Sequence, residues 1–356
     1  MGASACRAAG LTSLDSNDRP AKKTIRVAGA RLYNRAGAIS HLFERGKMVT
    51  WLNGAFIPDE QAKIGVKTHA FNYGTGCFEG IRGYWNEADA QIYLFKLREH
   101  YDRLARSCKI VGIGLIKSPA ELCELTIELV RQNGYREDVY IRPLAYKSSE
   151  IVGVRMHNLD DGLTIFTTPF GKYLPAENGC RCCTSSFRRV DDNAIPARAK
   201  VTGIYVNSAM AKTEANLNGF DEAIMLTHEG HVSEGSGENI FMVAEGKLVT
   251  PAASENILMG ITRAAVIELA SRELGIETIE RQIDRSELYS ADEVFMTGTA
   301  AEISPIVEID RRAIGAGAVG DVSERLRTLF NDVVRAKVEQ YRDWCTPVYQ
   351  AIGARR

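Results

Sequence analysis

Apolar residues recur along this chain with two spacings, one of two residues and one of three or four, and the switches between them mark strands and helices. Val49-Thr50-Trp51-Leu52 and Ala55-Phe56-Ile57-Pro58 flank Asn53-Gly54, a dipeptide suited to the positive φ angles of a two-residue turn. A hairpin is expected there. Residues 90–95 read as a further strand. Over residues 98–110, Tyr101, Leu104, Ala105 and Cys108 share one helical face. Residues 119–132 predict a second helix, with Pro119 at its start, apolar Leu122, Leu125, Ile127, Leu129 and Val130, and Gly134 past its end. Strands follow at 139–144 and 163–168.

The prolines and glycine of 169–175 then suggest a connection between domains. Beyond it the pattern predicts strands at 222–226, 230–233, 240–243 and 247–250, and helices at 207–218, 262–274 and 321–341. Strands and helices in two halves make an α+β reading. It gives a small domain over 48–168, an inter-domain loop over 169–182 and a larger domain over 183–356. The length of 356 residues suits two cores, since single cores stop growing near ~250–300 residues.

Residues 1–47 stand apart, with nine Lys or Arg against three acids and little periodicity. They read as an extension that is disordered, a transit peptide, or not native, with Met48 the next candidate start. Elsewhere the composition is ordinary: 45% hydrophobic, 25% charged, net charge −1. That balance offers nucleic acid and anionic membranes no general attraction, and no apolar run approaches the ~20 residues of a membrane helix. Eight cysteines lack paired metal-ligand spacing, so no metal site is expected and free thiols in a reducing compartment are. Cys180-Arg181-Cys182-Cys183 alternates like a strand. The expected location is the cytoplasm, or an organelle if residues 1–47 are a transit peptide.

Against this background Lys200 stands out. It lies in Asn193-Ala194-Ile195-Pro196-Ala197-Arg198-Ala199-Lys200-Val201-Thr202-Gly203-Ile204-Tyr205, a β-like run, and Ser233-Glu234-Gly235-Ser236-Gly237-Glu238-Asn239 follows. An amine able to attack a carbonyl and a carboxylate able to hold a protonated ring nitrogen together suggest pyridoxal phosphate. Tyr205 is a candidate partner for the ring's phenolic oxygen. Met259-Gly260-Ile261-Thr262-Arg263 opens a helix whose N–H groups suit a phosphate, and Thr297-Gly298-Thr299-Ala300-Ala301 is a second small-residue turn.

These stretches, with Asn72-Tyr73-Gly74-Thr75-Gly76-Cys77-Phe78-Glu79-Gly80-Ile81-Arg82, Glu99-His100-Tyr101-Asp102-Arg103-Leu104, Tyr140-Ile141-Arg142-Pro143-Leu144 and Ala291-Asp292-Glu293-Val294-Phe295-Met296, occur in the order found in branched-chain amino-acid aminotransferases. The chain from about 48 to 345 resembles that family, of the pyridoxal-phosphate fold-type IV class. The resemblance implies the two-domain architecture of that class and transamination of L-leucine, L-isoleucine and L-valine with 2-oxoglutarate, giving branched 2-oxo acids and L-glutamate. It implies Lys200 as the Schiff-base lysine, Glu234 at the pyridine nitrogen and Tyr205 at the phenolic oxygen. Arg103, Ile261, Thr262 and Thr299 would hold the phosphate, with Leu258 under the ring.

For the substrate it implies Tyr73, Phe78, Arg82, Tyr140, Arg142, Phe170, Tyr173 and Ala300. Phe78, Tyr73 and Tyr173 would wall an apolar pocket, in which burial contributes ~25 cal/mol per Å². Tyr140, Arg142 and the Thr299-Ala300 turn would receive a carboxylate. Phe170 stands where close bacterial relatives have tryptophan, keeping an aromatic wall without its N–H. Self-association into at least a homodimer is implied as well. The alternatives within the class are a D-amino-acid aminotransferase and an aminodeoxychorismate lyase; a binding protein without turnover and a thiol-based interaction protein are alternatives outside it.

Overall fold

Asn53 and Gly54 adopt φ angles of 45° and 110°, and the expected hairpin closes between β1 (Val49–Leu52) and β2 (Ala55–Pro58) with Leu52 opposite Ala55. The computed structural model describes residues 48–171, 174 and 177–349. The expected extension over 1–47 and the expected site residue Tyr173 lie outside them. The first half continues with α1 (His69–Tyr73), β3 (Gly76–Phe78), β4 (Ile81–Asn86), β5 (Gln91–Phe95), α2 (Leu97–Val111), α3 (Pro119–Asn133), β6 (Val139–Lys147) and β7 (Asp161–Pro169). Ser118 and Glu121 form a reciprocal capping box ahead of α3, and Gly134 ends it at φ 65°. Both ends of that helix therefore have their exposed backbone groups satisfied.

The second half comprises β8 (Cys180–Thr184), α4 (Tyr205–Leu217), β9 (Glu222–Leu226), β10 (Val232–Gly235), β11 (Asn239–Ala244), β12 (Lys247–Pro251), α5 (Ile261–Leu274), β13 (Thr278–Arg281), α6 (Arg285–Ser290), β14 (Glu293–Gly298), β15 (Glu302–Ile309), β16 (Arg312–Ala313) and α7 (Asp321–Val334). A last strand, β17 (Cys345–Pro347), returns to the first sheet. That sheet is antiparallel in the order β17-β5-β4-β6-β7-β1-β2, with β3 on β6. The second sheet runs β10-β9-β8-β15-β14-β11-β12-β13, with β16 on β15, and is parallel where β8 meets β9 and β15 and where β12 meets β13.

Tyr101, Leu104 and Cys108 of α2 are buried as their spacing predicts, packing with Leu122 and Leu129 of α3 against the first sheet. Each of the leucines stabilises the fold by about 1.5–3 kcal/mol. A second core joins α5 and α7 to Phe241 and Phe295 of the second sheet, and Tyr84, Tyr93 and Phe95 of the first sheet enter it.

Two expectations fail locally. The helix predicted over 321–341 ends at Val334: Ala336 turns left-handed at φ 55°, and Tyr341 and Trp344 reach the core from a separate 3₁₀ segment, Glu339–Trp344. Their spacing continued the apolar pattern of α7, so periodicity concealed the break. Lys200 lies on no strand; its neighbour Val201 makes an isolated bridge to Cys77. The cysteine-rich segment is a strand, β8, and Cys180, Cys182 and Cys183 are buried and unpaired. Among the described residues no helix is long and apolar enough to cross a membrane, and no cluster of His, Cys, Asp and Glu suits a metal ion.

Candidate active site

Lys200 is clamped by its backbone. Its carbonyl accepts the Phe78 N–H at 3.0 Å and its N–H donates to Ser107 Oγ at 3.1 Å, tying it to β3 and α2. The following Thr202 and Gly203 donate to the carbonyl of Gly74, whose φ of 67° and lack of a Cβ permit an approach that a side chain would bring within 2.8 Å of Gly203 Cα. From this fixed backbone Nζ reaches Tyr205 Oη at 2.6 Å, at the first residue of α4. Phe78 packs edge-on against Tyr205, with ring centroids 4.8 Å apart, and lies 5.0 Å from Nζ.

Glu234 lines the same cavity, together with Leu258, Ser208 and Glu238. It lies on β10 beside a register shift that follows Val232, rather than on the glycine-rich turn itself. Burial raises its carboxyl above the ordinary range, while Arg189 at 2.8 Å and the Leu258 N–H at 3.0 Å pull the other way. Glu238 is also buried, and burial and the nearby Glu222 push its carboxyl well up. Asn239 donates to the carbonyl of Leu258 and to Glu234, fixing the expected ring-side residue Leu258.

Ile261 and Thr262 open α5, and its cap, Gly260, supplies no side-chain hydrogen bond. A Cβ on Gly260 would fall 2.0 Å from Asn239 Oδ1, so the approach requires glycine. A 14-residue helix without a side-chain cap presents N–H groups and dipole to an anion. Arg103 comes to the same place, donating from Nη1 to the carbonyl of Met259 at 3.0 Å. Its Nε and Nη2 grip Glu79, both at 2.7 Å. Thr299 donates to the carbonyl of Gly80 at 3.0 Å. An amine beside a phenol, a buried carboxyl across the same cavity, and an uncapped helix start with an arginine form a donor set that fits an aldehyde-bearing, phosphorylated pyridine.

The substrate-side residues divide. Arg142 stacks over Phe78 at 4.4 Å and donates to Tyr140 Oη at 2.7 Å, and Tyr140 meets Phe170 with ring centroids 5.0 Å apart, so these four extend in contact from Lys200. Arg82, Phe170 and Ala300 border a cavity of about 590 Å³. The charge of Arg82 is matched there by Glu302 at 3.0 Å and Asp138 at 3.6 Å, and its Nη2 donates to the carbonyl of Gly171. Tyr73 joins none of these. It accepts the Gly153 N–H and lines a different, largely apolar hollow with Phe71, Leu144 and Val206.

Arg189, Asn239 and Glu79 join the site without having been expected there. Asn239 and Glu79 lie within segments that carry the family resemblance, whereas Arg189 follows no pattern and reaches Glu234 through the pairing of β8 with β9 and of β9 with β10.

A model described as amino-transferase class IV matches residues 76–309. A probable branched-chain-amino-acid aminotransferase of Aquifex aeolicus is 50% identical over 299 residues, covering 84% of this chain and 96% of that one. The branched-chain aminotransferase of Thermoproteus uzoniensis, solved with norvaline, superposes with a TM-score of 0.82 at 47% identity over 85% of this chain and all of that one. That of Thermobaculum terrenum, solved in its PLP form, gives 0.82 at 39% identity over 86% and 100%. Agreement of this extent, on a fold carrying the lysine, tyrosine and glutamate in one cavity, means that the chain belongs to the class IV aminotransferases, alongside the branched-chain enzymes.

Proposed function

We propose that this chain is a branched-chain amino-acid aminotransferase that uses pyridoxal phosphate to pass the amino group of L-leucine, L-isoleucine or L-valine to 2-oxoglutarate. The observation that carries the reading is the convergence of Lys200, Tyr205 and Glu234 on one cavity. The cofactor, when bound, supplies an aldehyde and an electron-withdrawing ring that takes up the charge left when an α-carbon loses its proton. Lys200 contributes the amine and then the base for that α-proton, with Tyr205 holding Nζ in place. Glu234, supported by Arg189, would hold the ring nitrogen. The start of α5 and Arg103 would hold the phosphate.

Phe78 gives an apolar side chain a surface, and Arg142 beside it gives glutamate a charge partner, so one pocket accommodates both substrate classes. A branched-chain relative 43% identical to this chain is known in complex with N-(5'-phosphopyridoxyl)-L-glutamate, which supports that second role. The first sheet, with β17 returned to it, and the second sheet act as two lobes around the site. The exposed apolar residues Ile64, Phe71, Val152, Val154 and Val206 support association into a homodimer or larger assembly. Unpaired thiols on β8 support a cytoplasmic setting.

Purified enzyme mixed with pyridoxal phosphate, 2-oxoglutarate and each branched L-amino acid is expected to give glutamate with ping-pong kinetics. Turnover of D-alanine in preference to L-leucine would overturn the substrate assignment.

A further inference from the structure

Three residues expected at opposite ends of the site converge on one dipeptide, Glu79-Gly80, in the turn between β3 and β4. Glu79 is fully buried, and its Oε1 and Oε2 accept Nε and Nη2 of Arg103 while Oε2 also meets His100 Nδ1 at 2.8 Å. Burial pushes the Glu79 carboxyl up, but Arg103 and His100 overcome it and bring it down to about 2. It is therefore an anion, and His100 donates to it. The carbonyl of Gly80 takes the Thr299 hydroxyl, and a Cβ on Gly80 would lie 2.3 Å from Tyr140 Oη.

The fork geometry fixes more than a contact. Two parallel N–H···O bonds hold the guanidinium plane, which leaves Nη1 as the edge facing Met259, next to the cap of α5. An amide at position 79 would present an NH₂ to a guanidinium that only donates, so at least one buried Arg103 donor would lose its partner. Arg103 would then be free to rotate away from α5.

We propose that Glu79 is a positioning residue for the cofactor's phosphate: it never touches the phosphate, but aims Arg103 at the start of α5. This rests on the pyridoxal phosphate reading above. The test compares pyridoxal phosphate with pyridoxal, which lacks the phosphate, as ligands of the apoenzyme, followed by imine absorbance. For Glu79→Gln the dissociation constant of pyridoxal phosphate is expected to rise on the order of tenfold, against less than about twofold for pyridoxal. In the double variant with Arg103→Gln, Glu79→Gln is expected to add less than about twofold, because both changes remove one device. If Glu79→Gln does not fold, Glu79→Asp replaces it in both comparisons, with a smaller loss confined to the phosphorylated ligand. Equal losses for the two ligands, no loss, or multiplying losses in the double variant would overturn the proposal. Failure of the unsubstituted protein to form any imine would instead remove the functional reading beneath it.

Discussion

Around the amine, each charged group meets a partner inside the chain: Lys200 with Tyr205 at 2.6 Å, Arg103 with Glu79 at 2.7 Å, Glu234 with Arg189 at 2.8 Å. On the substrate side the expected groups are spread over strand β6, the Phe170-Gly171 loop, the Ala300 turn and a separate hollow at Tyr73. The difference separates two tasks. Holding a permanent cofactor rewards rigid, mutually satisfied polar groups on strands and helix ends, whereas admitting both a branched alkyl chain and a carboxylate rewards loops and aromatic surfaces that tolerate either.

Substitutions on the first side should therefore damage every substrate alike, and those on the second should discriminate. The largest loss is expected from Lys200→Ala: at least a thousandfold in kcat for leucine and glutamate equally, with loss of the imine absorbance. Residual transamination with that absorbance intact would place the amine elsewhere. Arg189→Met should lower kcat/KM roughly tenfold for both substrates. Its pH dependence gives a sharper check: without the guanidinium the Glu234 carboxyl rises further, so the acidic limb of the kcat/KM profile should move to higher pH. Arg142→Met should break the symmetry, raising KM for 2-oxoglutarate about tenfold while leaving leucine within about twofold.

The smallest effect is read in stability. Glu238 binds its proton more tightly folded than unfolded, so its contribution is fully present below the ordinary value of about 4.3 and fades as pH rises above it. Glu238→Gln should thus melt at a higher temperature than the parent, by a margin that widens between about pH 5 and about pH 8. A margin constant across that range would mean that the carboxyl is not held protonated.

Much of the first side was legible in the sequence because its parts are local: an uncapped helix start after glycine, a lysine five residues before a tyrosine, a glutamate among small residues. The strands β14 and β15 were not, although they cross the middle of the second sheet, because Thr297-Gly298-Thr299-Ala300-Ala301 reads as a turn and Pro305 interrupts the second run. Arg189 and Tyr73 show the deeper limit. The neighbours of both are decided by strand pairing across the chain, which no spacing records.

The return of β17 to the edge of β5 has a further consequence for how the molecule comes into being. The Trp344 carbonyl accepts the Lys96 N–H, the Val348 N–H donates to the Ile92 carbonyl, and the Val348 and Tyr349 N–H groups both donate to the side-chain oxygen of Gln91. During synthesis, a ribosome that has delivered every other strand of the first sheet must still make the entire second sheet before that edge can be covered. Such long-range closure is slow, and it leaves β5 available to a neighbouring nascent chain until residues 344–349 emerge.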